Sequence, residues 1–164
     1  MIQTEAFVLT KKGTARAAFQ LATISLPALN ENQVIIDVEA FGLNYADVMA
    51  RRGLYREAPP MPCVVGYEVV GTISAIGKGV DPSLIGKRVV AFCRFGGYAK
   101  KAISQIGAFQ EINELDAGAA LALATQFVTA YYMVYRAANV QSGESVLIHA
   151  AAGGVGTALI QLCK

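Results

Sequence analysis

One histidine, His149, and three cysteines, Cys63, Cys93 and Cys163, are the only imidazole and thiol groups in this 164-residue sequence. The cysteines are odd in number, widely spaced and never in a CxxC pair, which argues against a disulfide framework and against a cysteine-rich zinc site. Basic runs are also missing. The 14 lysines and arginines are scattered, the densest groupings being the pairs Lys11-Lys12, Arg51-Arg52 and Lys100-Lys101, and the net charge is only +2. That pattern is a solvated surface, with no patch for nucleic acid or anionic lipid. The start, MIQTEAFVLTKKG, lacks a basic segment followed by an apolar one, so no signal peptide is expected. The most apolar stretch, Ala117 to Ala130, is Ala-rich, holds Gln126 and threonines, and is too short to cross a bilayer, so no membrane insertion is expected. The cytoplasm is the default location. No internal repeat or low-complexity segment is found.

What is present is enough apolar material for a core. Hydrophobic residues make up 54% and charged residues 16% of the chain, whose length suits one domain and part of another. The first part reads as β-rich. Glu5–Thr10, Val34–Ala40, Val69–Ile76 and Arg88–Phe92 are short β-branched runs separated by frequent glycine. A short helix is predicted at Tyr45–Arg52, and Pro59, Pro60 and Pro62 mark an irregular loop after it. From Leu115 the character changes to Ala-rich and helical. Two helices are predicted, Asp116–Ala124 and Val128–Ala138, with Asp116 suited to the first N-terminus. QSGES is a turn and Val146–His149 a strand. The fold class is therefore α/β, with a domain boundary inside the helical stretch: 1–124 and 125–164.

After that strand comes Ala151-Ala152-Gly153-Gly154-Val155-Gly156, a variant of GxGxxG with Ala151 in the first glycine position. In a strand–loop–helix setting Gly153 lets the backbone approach a pyrophosphate. Gly156 lets the helix pack closely, and the N–H groups near Gly154 and Val155 point out of the helix N-terminus. No Lys-Ser/Thr follows, so this is not a P-loop. The competing reading is a purely structural tight turn.

GESVLIHAAAGGVGTALIQLCK (Gly143–Lys164) resembles the signature of the zinc-free quinone oxidoreductase, or ζ-crystallin, branch of the medium-chain dehydrogenase/reductase superfamily. Upstream, GLNYADVMARRGLY, GYEVVGTISAIGKGV and GKRVVAF are similar to that family's GroES-like catalytic domain, and LALATQFVTAYYMV to its vesicle amine transport protein-1-like subgroup. The resemblance implies a β-rich GroES-like domain followed by the first strand, loop and helix of a Rossmann fold. It implies NADPH as cofactor, bound by Ala151, Gly153, Gly154, Val155 and Gly156, with Thr129 near the nicotinamide and phosphates. The residue that chooses between NAD and NADP would follow Lys164.

Zinc-dependent members of the superfamily carry a Cys and a His in segments that here read GLNYAD and GYE. Asn44 and Tyr67 stand in their places, and neither an amide nor a phenol is a usual zinc ligand. No metal is therefore expected, and Glu68 is expected to make a structural hydrogen bond or ion pair. His149 is expected to be a packed or hydrogen-bonded strand-end residue. Without a Lewis acid, the easier chemistry is hydride delivery to an electron-poor acceptor such as a quinone or an α,β-unsaturated carbonyl, with a quinone the first choice. The alternatives are a 2-alkenal or enoyl reductase, and a binding or structural relative without catalysis. By the resemblance, Asn44, Asp47 and Tyr55 line the cleft, with Asn44 as a donor. Each also has a plain structural reading: a helix cap, an internal salt bridge and a packed aromatic. Tyr67 departs from the small or apolar residue expected in this branch.

Family members run on for about as many residues again, so the sequence reads as the front half of one. On its own the strand edge at 146–149 and the apolar helix face of Ala158, Leu159, Leu162 and Cys163 would be open. Weak or no NADPH binding, no activity, and self-association or a poorly ordered C-terminal segment are expected of such a piece, and a homo-oligomer of the protein.

Overall fold

Alternating exposure along Gln3–Leu9 marks the first strand, β1, of the computed structural model, which describes residues 1–164. A short helix, α1 (Ala15–Ala18), leads into β2 (Phe19–Ser25), which pairs antiparallel with β1 from Gln3 opposite Ser25 to Leu9 opposite Phe19. Five further strands make one sheet: β3 (Gln33–Phe41), β4 (Glu68–Ile76), β5 (Arg88–Phe92), β6 (Lys101–Gln105) and β7 (Phe109–Glu111). Their order is β6-β3-β4-β5-β7, with every neighbour antiparallel. Such a sheet needs no crossover helices, and the chain has the turn glycines to connect it.

The centre of the sheet explains its stability. Val34, Ile35 and Ile36 of β3 are all buried, so both faces of this strand are covered. Val34 and Ile36 pack with Val69, Ile73, Val89, Ala91, Cys93 and Ala102. Each fully buried Val or Ile contributes about 1.5–3 kcal/mol relative to exposure. A second cluster, Leu9, Ala18, Ala50, Val65 and Tyr98, ties β1 and α1 to the helix α2 (Tyr45–Arg52) and to the loop before β4. A third sets Ala120 of α3 (Ala117–Leu121) against Val70 and Ile112. Asp116 Oδ1 accepts the Ala119 N–H at 2.9 Å, the capping role its position suggested.

The chain divides into two compact units, Met1–Leu121 and Ala122–Lys164. Helical turns run without a break from Ala117 to Ala137, where two separate helices are predicted. Thr125, Gln126 and Phe127 contain no glycine or proline to stop the helix. Instead π-helical turns at Ala122–Phe127 and Tyr132–Ala137 flank α4 (Val128–Tyr131) and absorb the irregularity. The run is 21 residues, long and apolar enough to cross a bilayer by length and composition alone, in contrast to the shorter stretch read from the sequence. Those two criteria are also met by packed helices of soluble proteins. The last helix is α5 (Gly154–Leu162).

The expected strand Val146–His149 is not formed. Residues 144–148 have no regular structure, 149–152 turn, and Val146 and Leu147 are 43% and 83% exposed. A strand exists only through hydrogen bonds to a neighbour. No strand of this chain pairs with the segment.

Candidate functional site

In the first unit, the polar residues singled out by the sequence meet where β3 hands over to α2. Asn44 is the N-cap of α2, the plain reading offered for it. Asp47, three residues on, accepts the Asn44 N–H on Oδ2 at 2.9 Å and so closes a capping box. The same Oδ2 accepts the Tyr98 hydroxyl at 2.9 Å, and Oδ1 accepts the Gly66 N–H at 3.2 Å. Asp47 is 4% exposed. Both of its oxygens are held by internal donors. The partners are a phenol and two N–H groups, so the internal salt bridge is corrected. Asp47 joins the start of α2 to the loops around Gly66 and Tyr98. Burial, with the Asp47 charge adding to it, pushes the Tyr98 phenol well above its usual range.

Glu68, the first residue of β4, is 1% exposed and accepts from Asn44 Nδ2 with both oxygens, each at 2.9 Å. This is the structural hydrogen bond the sequence suggested for it. Gly42 makes room for it. A Cβ there would overlap Glu68 Oε1 outright and stand 2.5 Å from its carboxyl carbon.

Tyr55 is half-buried and meets Tyr67 edge-on, with ring centroids 6.3 Å apart; Tyr67 meets Phe95 at 5.4 Å. Burial raises the Tyr67 phenol pKa far above the usual value, and its hydrogen bond with Tyr55 adds to this. Tyr67 is therefore a protonated, aromatic wall. These groups do not suit zinc: an amide nitrogen facing a carboxylate has no lone pair to give, and a protonated phenol is no ligand. No group of three or more His, Cys, Asp or Glu side chains converges anywhere in the chain. His149 is exposed in the turn that precedes the glycine loop, in place of the packed strand end expected for it.

In the second unit, the glycine loop forms the N-terminus of α5. Ala150 has a left-handed backbone (φ 51°), and its carbonyl accepts the Gly153 N–H at 2.9 Å. Gly153 is the N-cap, and no side chain caps the helix. The N–H groups of Gly154, Val155 and Gly156 therefore have no intrahelical partner. Gly156 is buried where a Cβ would run into Ala150 O and stand 2.7 Å from Ala151 Cα, which is the close packing expected of it, made to the loop itself. A Cβ on Gly154 would stand 2.6 Å from the Gln126 amide group. Gly153 is exposed, with only Ala150 O near a Cβ, at 3.2 Å. Ala151 and Val155 are half-buried and flank this opening. Small residues, free donors and a positive dipole end fit a dinucleotide pyrophosphate. Thr129 is exposed on α4.

Sequence reasoning missed Tyr98, 51 residues from its partner Asp47. No local spacing links them. Gly42 was the available signal for the buried carboxylate of Glu68, and it is legible only once β3 and β4 are paired.

An antiparallel sheet flanked by a short capped helix, followed by an uncapped glycine turn, describes a GroES-like domain with the opening of a nucleotide-binding one. Residues 30–126 match the alcohol dehydrogenase GroES-like domain family, and the chain belongs to it. It is the N-terminal part of a medium-chain dehydrogenase/reductase fold, in the company of VAT-1 homologues and quinone oxidoreductases. It is 37% identical to the human synaptic vesicle membrane protein VAT-1 homolog over 93% of this chain and 39% of that one. It is 36% identical to the Rattus norvegicus quinone oxidoreductase over 86% of this chain and 44% of that one. The chain thus spans about two fifths of the length of these curated relatives. Among solved structures, the human VAT-1 homolog-like protein superposes with a TM-score of 0.92 at 35% identity, covering 99% of this chain and 52% of that one. A mycobacterial protein solved in complex with NADPH gives 0.87 at 30% identity, covering 96% and 48%.

Proposed function

We propose that this chain is the catalytic domain and the opening of the cofactor domain of an NADPH-dependent oxidoreductase that works without zinc and reduces a quinone. Residues 1–124 carry the first role and 125–164 the second. The observation that carries the reading is the uncapped, glycine-lined N-terminus of α5. When bound, NADPH supplies the hydride. The chain's own part is to hold the pyrophosphate on the N–H groups of Gly154, Val155 and Gly156, with Ala151, Gly153 and Thr129 beside the cofactor. Asn44 offers an amide donor to an oxygen of the acceptor, and Tyr55 and Tyr67 give an aromatic wall against which a flat, electron-poor ring stacks. The quinone oxidoreductase relatives and the NADPH complex of a structural neighbour support the choice of acceptor and cofactor. The protein is proposed to act in the cytoplasm as a homo-oligomer.

A reductase of 2-alkenals or enoyl groups uses the same residues and is favoured by one similar structure, an enoyl reductase with a TM-score of 0.86. A non-catalytic role is favoured by the vesicle-membrane name of the VAT-1 relatives. Titration of the whole protein with NADPH, followed by nucleotide fluorescence, tests the site. Gly153→Val places a branched side chain at the open N-terminus and is expected to weaken binding by tenfold or more, on the order of 1.4 kcal/mol. Unchanged affinity would remove the loop from the cofactor site. NADPH oxidation with a small quinone and then with an enone separates the two enzyme readings, and activity with neither favours the non-catalytic one.

A further inference from the structure

Burying a carboxylate is costly unless it is paired or hydrogen-bonded. Glu68 is such a group. It is 1% exposed, and its carboxylate faces the amide of Asn44 with both oxygens 2.9 Å from Nδ2. Gly42 leaves open the space it fills, since any side chain there would displace it.

The geometry of this pair has a chemical consequence. A planar amide NH2 carries two donors, and a carboxylate only accepts. The two oxygens of one carboxylate lie too close together for two diverging N–H bonds to reach them separately. One N–H is shared between them, and the second is left for another acceptor. With Nδ2 toward Glu68, as the structure has it, the amide donates to both oxygens; the flipped amide would set Oδ1 against an ionised carboxylate. The Asn44 backbone is fixed as well, because its N–H is held by Asp47 Oδ2 at 2.9 Å, and Asp47 is itself anchored by Gly66 and Tyr98. The amide therefore stands on a fixed stem in one orientation.

We propose that Glu68 is a positioning residue that locks the Asn44 amide in the single orientation from which its second N–H serves as a hydrogen-bond donor to an oxygen of the bound acceptor. This rests on the oxidoreductase reading for what the donor addresses; the lock itself does not. Glu68 acts through the Asn44 amide, which both of its oxygens face.

Two variants of the whole protein test it. Glu68→Gln can both donate and accept, so Asn44 is free to flip. The double variant Asn44→Asp, Glu68→Gln restores one charge and one hydrogen bond with the polarity reversed: the amide introduced at 68 donates, and position 44 has only acceptors. A merely structural pair would be repaired by this exchange. Under the proposal, Glu68→Gln lowers kcat about a hundredfold with the KM for NADPH little changed. The double variant regains thermal stability and leaves kcat low. A second readout needs no turnover. In amide NMR of the wild type, the Asn44 side-chain resonance, identified by its loss in Asn44→Ala, shows one proton shifted downfield and protected from exchange. That signature disappears in Glu68→Gln.

Wild-type kcat in Glu68→Gln, or recovery of both stability and kcat in the double variant, would overturn the proposal. So would two Asn44 side-chain protons in the wild type that both exchange as fast as those of a solvent-exposed amide. If the wild type turns over no acceptor, the oxidoreductase reading fails, and the amide signature alone decides whether the lock exists.

Discussion

Asp47 Oδ2 and the Tyr98 hydroxyl, 51 residues apart in sequence, are joined by a buried 2.9 Å hydrogen bond. It ties the first turn of α2 to the segment that leads into β6, and it leaves the Asn44 N–H, bound to the same oxygen, with a fixed anchor. The candidate cleft residue Asn44 is thus held by a frame built from distant parts of the chain.

Tyr98→Phe removes the donor and keeps the ring, which packs against Phe41 with centroids 4.7 Å apart. Hydrogen bonds to charged groups contribute about 1.5–3 kcal/mol, so a loss of that size is expected in urea denaturation. A variant as stable as wild type would mean that the bond only accompanies the packing.

Gly42→Ala tests how tightly Glu68 is seated. The added methyl would overlap the Glu68 carboxylate, and overpacking of this kind costs about 1–3 kcal/mol. The crystal structure of the variant should show the Glu68 side chain displaced and the Asn44 amide no longer facing it. An unshifted carboxylate with unchanged stability would contradict the close approach.

How much of this was legible in the sequence differs from part to part. The helix Tyr45–Arg52 and the strand Arg88–Phe92 stand where periodicity and turn residues put them. Local chemistry decides those elements. The strands Phe19–Ser25, Lys101–Gln105 and Phe109–Glu111 were not predicted. Two of them carry few β-branched residues, and all three lie at sheet edges or in the two-stranded ribbon, so their existence depends on partners far away in sequence. The run Val146–His149 shows the converse: a strand-like sequence without a neighbour makes no strand. At the site, the helix N-terminus at Gly153 could be read locally. The seating of Glu68 against Asn44 needed β3 and β4 in register.

Arg88 gives a pH-dependent prediction. Its guanidinium grips both oxygens of Glu39, at 2.8 and 3.0 Å, and also donates to the carbonyls of Asn113 and Leu115 at 2.8 Å. The Arg88 hydrogen bonds hold the Glu39 carboxyl below its ordinary 4.5. A carboxyl whose folded pKa is depressed contributes stability fully above its unfolded value, and loses it as pH falls through the folded one. The pair is exposed, so the effect is small. Arg88→Ala should lower the urea midpoint at neutral pH, and the gap from wild type should narrow as the solution is acidified below that range. A gap that stays constant across the acid limb would show that only the carbonyl contacts matter.

We propose that the whole protein passes a hydride from NADPH to an electron-poor acceptor. The most direct measurement is a single-turnover reaction of the whole protein with NADPH deuterated at the transferable nicotinamide position, using an α,β-unsaturated ketone and then a quinone. NADPH oxidation with at least one of these acceptors, with a primary isotope effect on its rate, is the expected result. If the ketone is reduced, the label should be found on the carbon that receives the hydride. No acceptor-dependent oxidation of NADPH, or reduction of the ketone without transfer of the label, would contradict it.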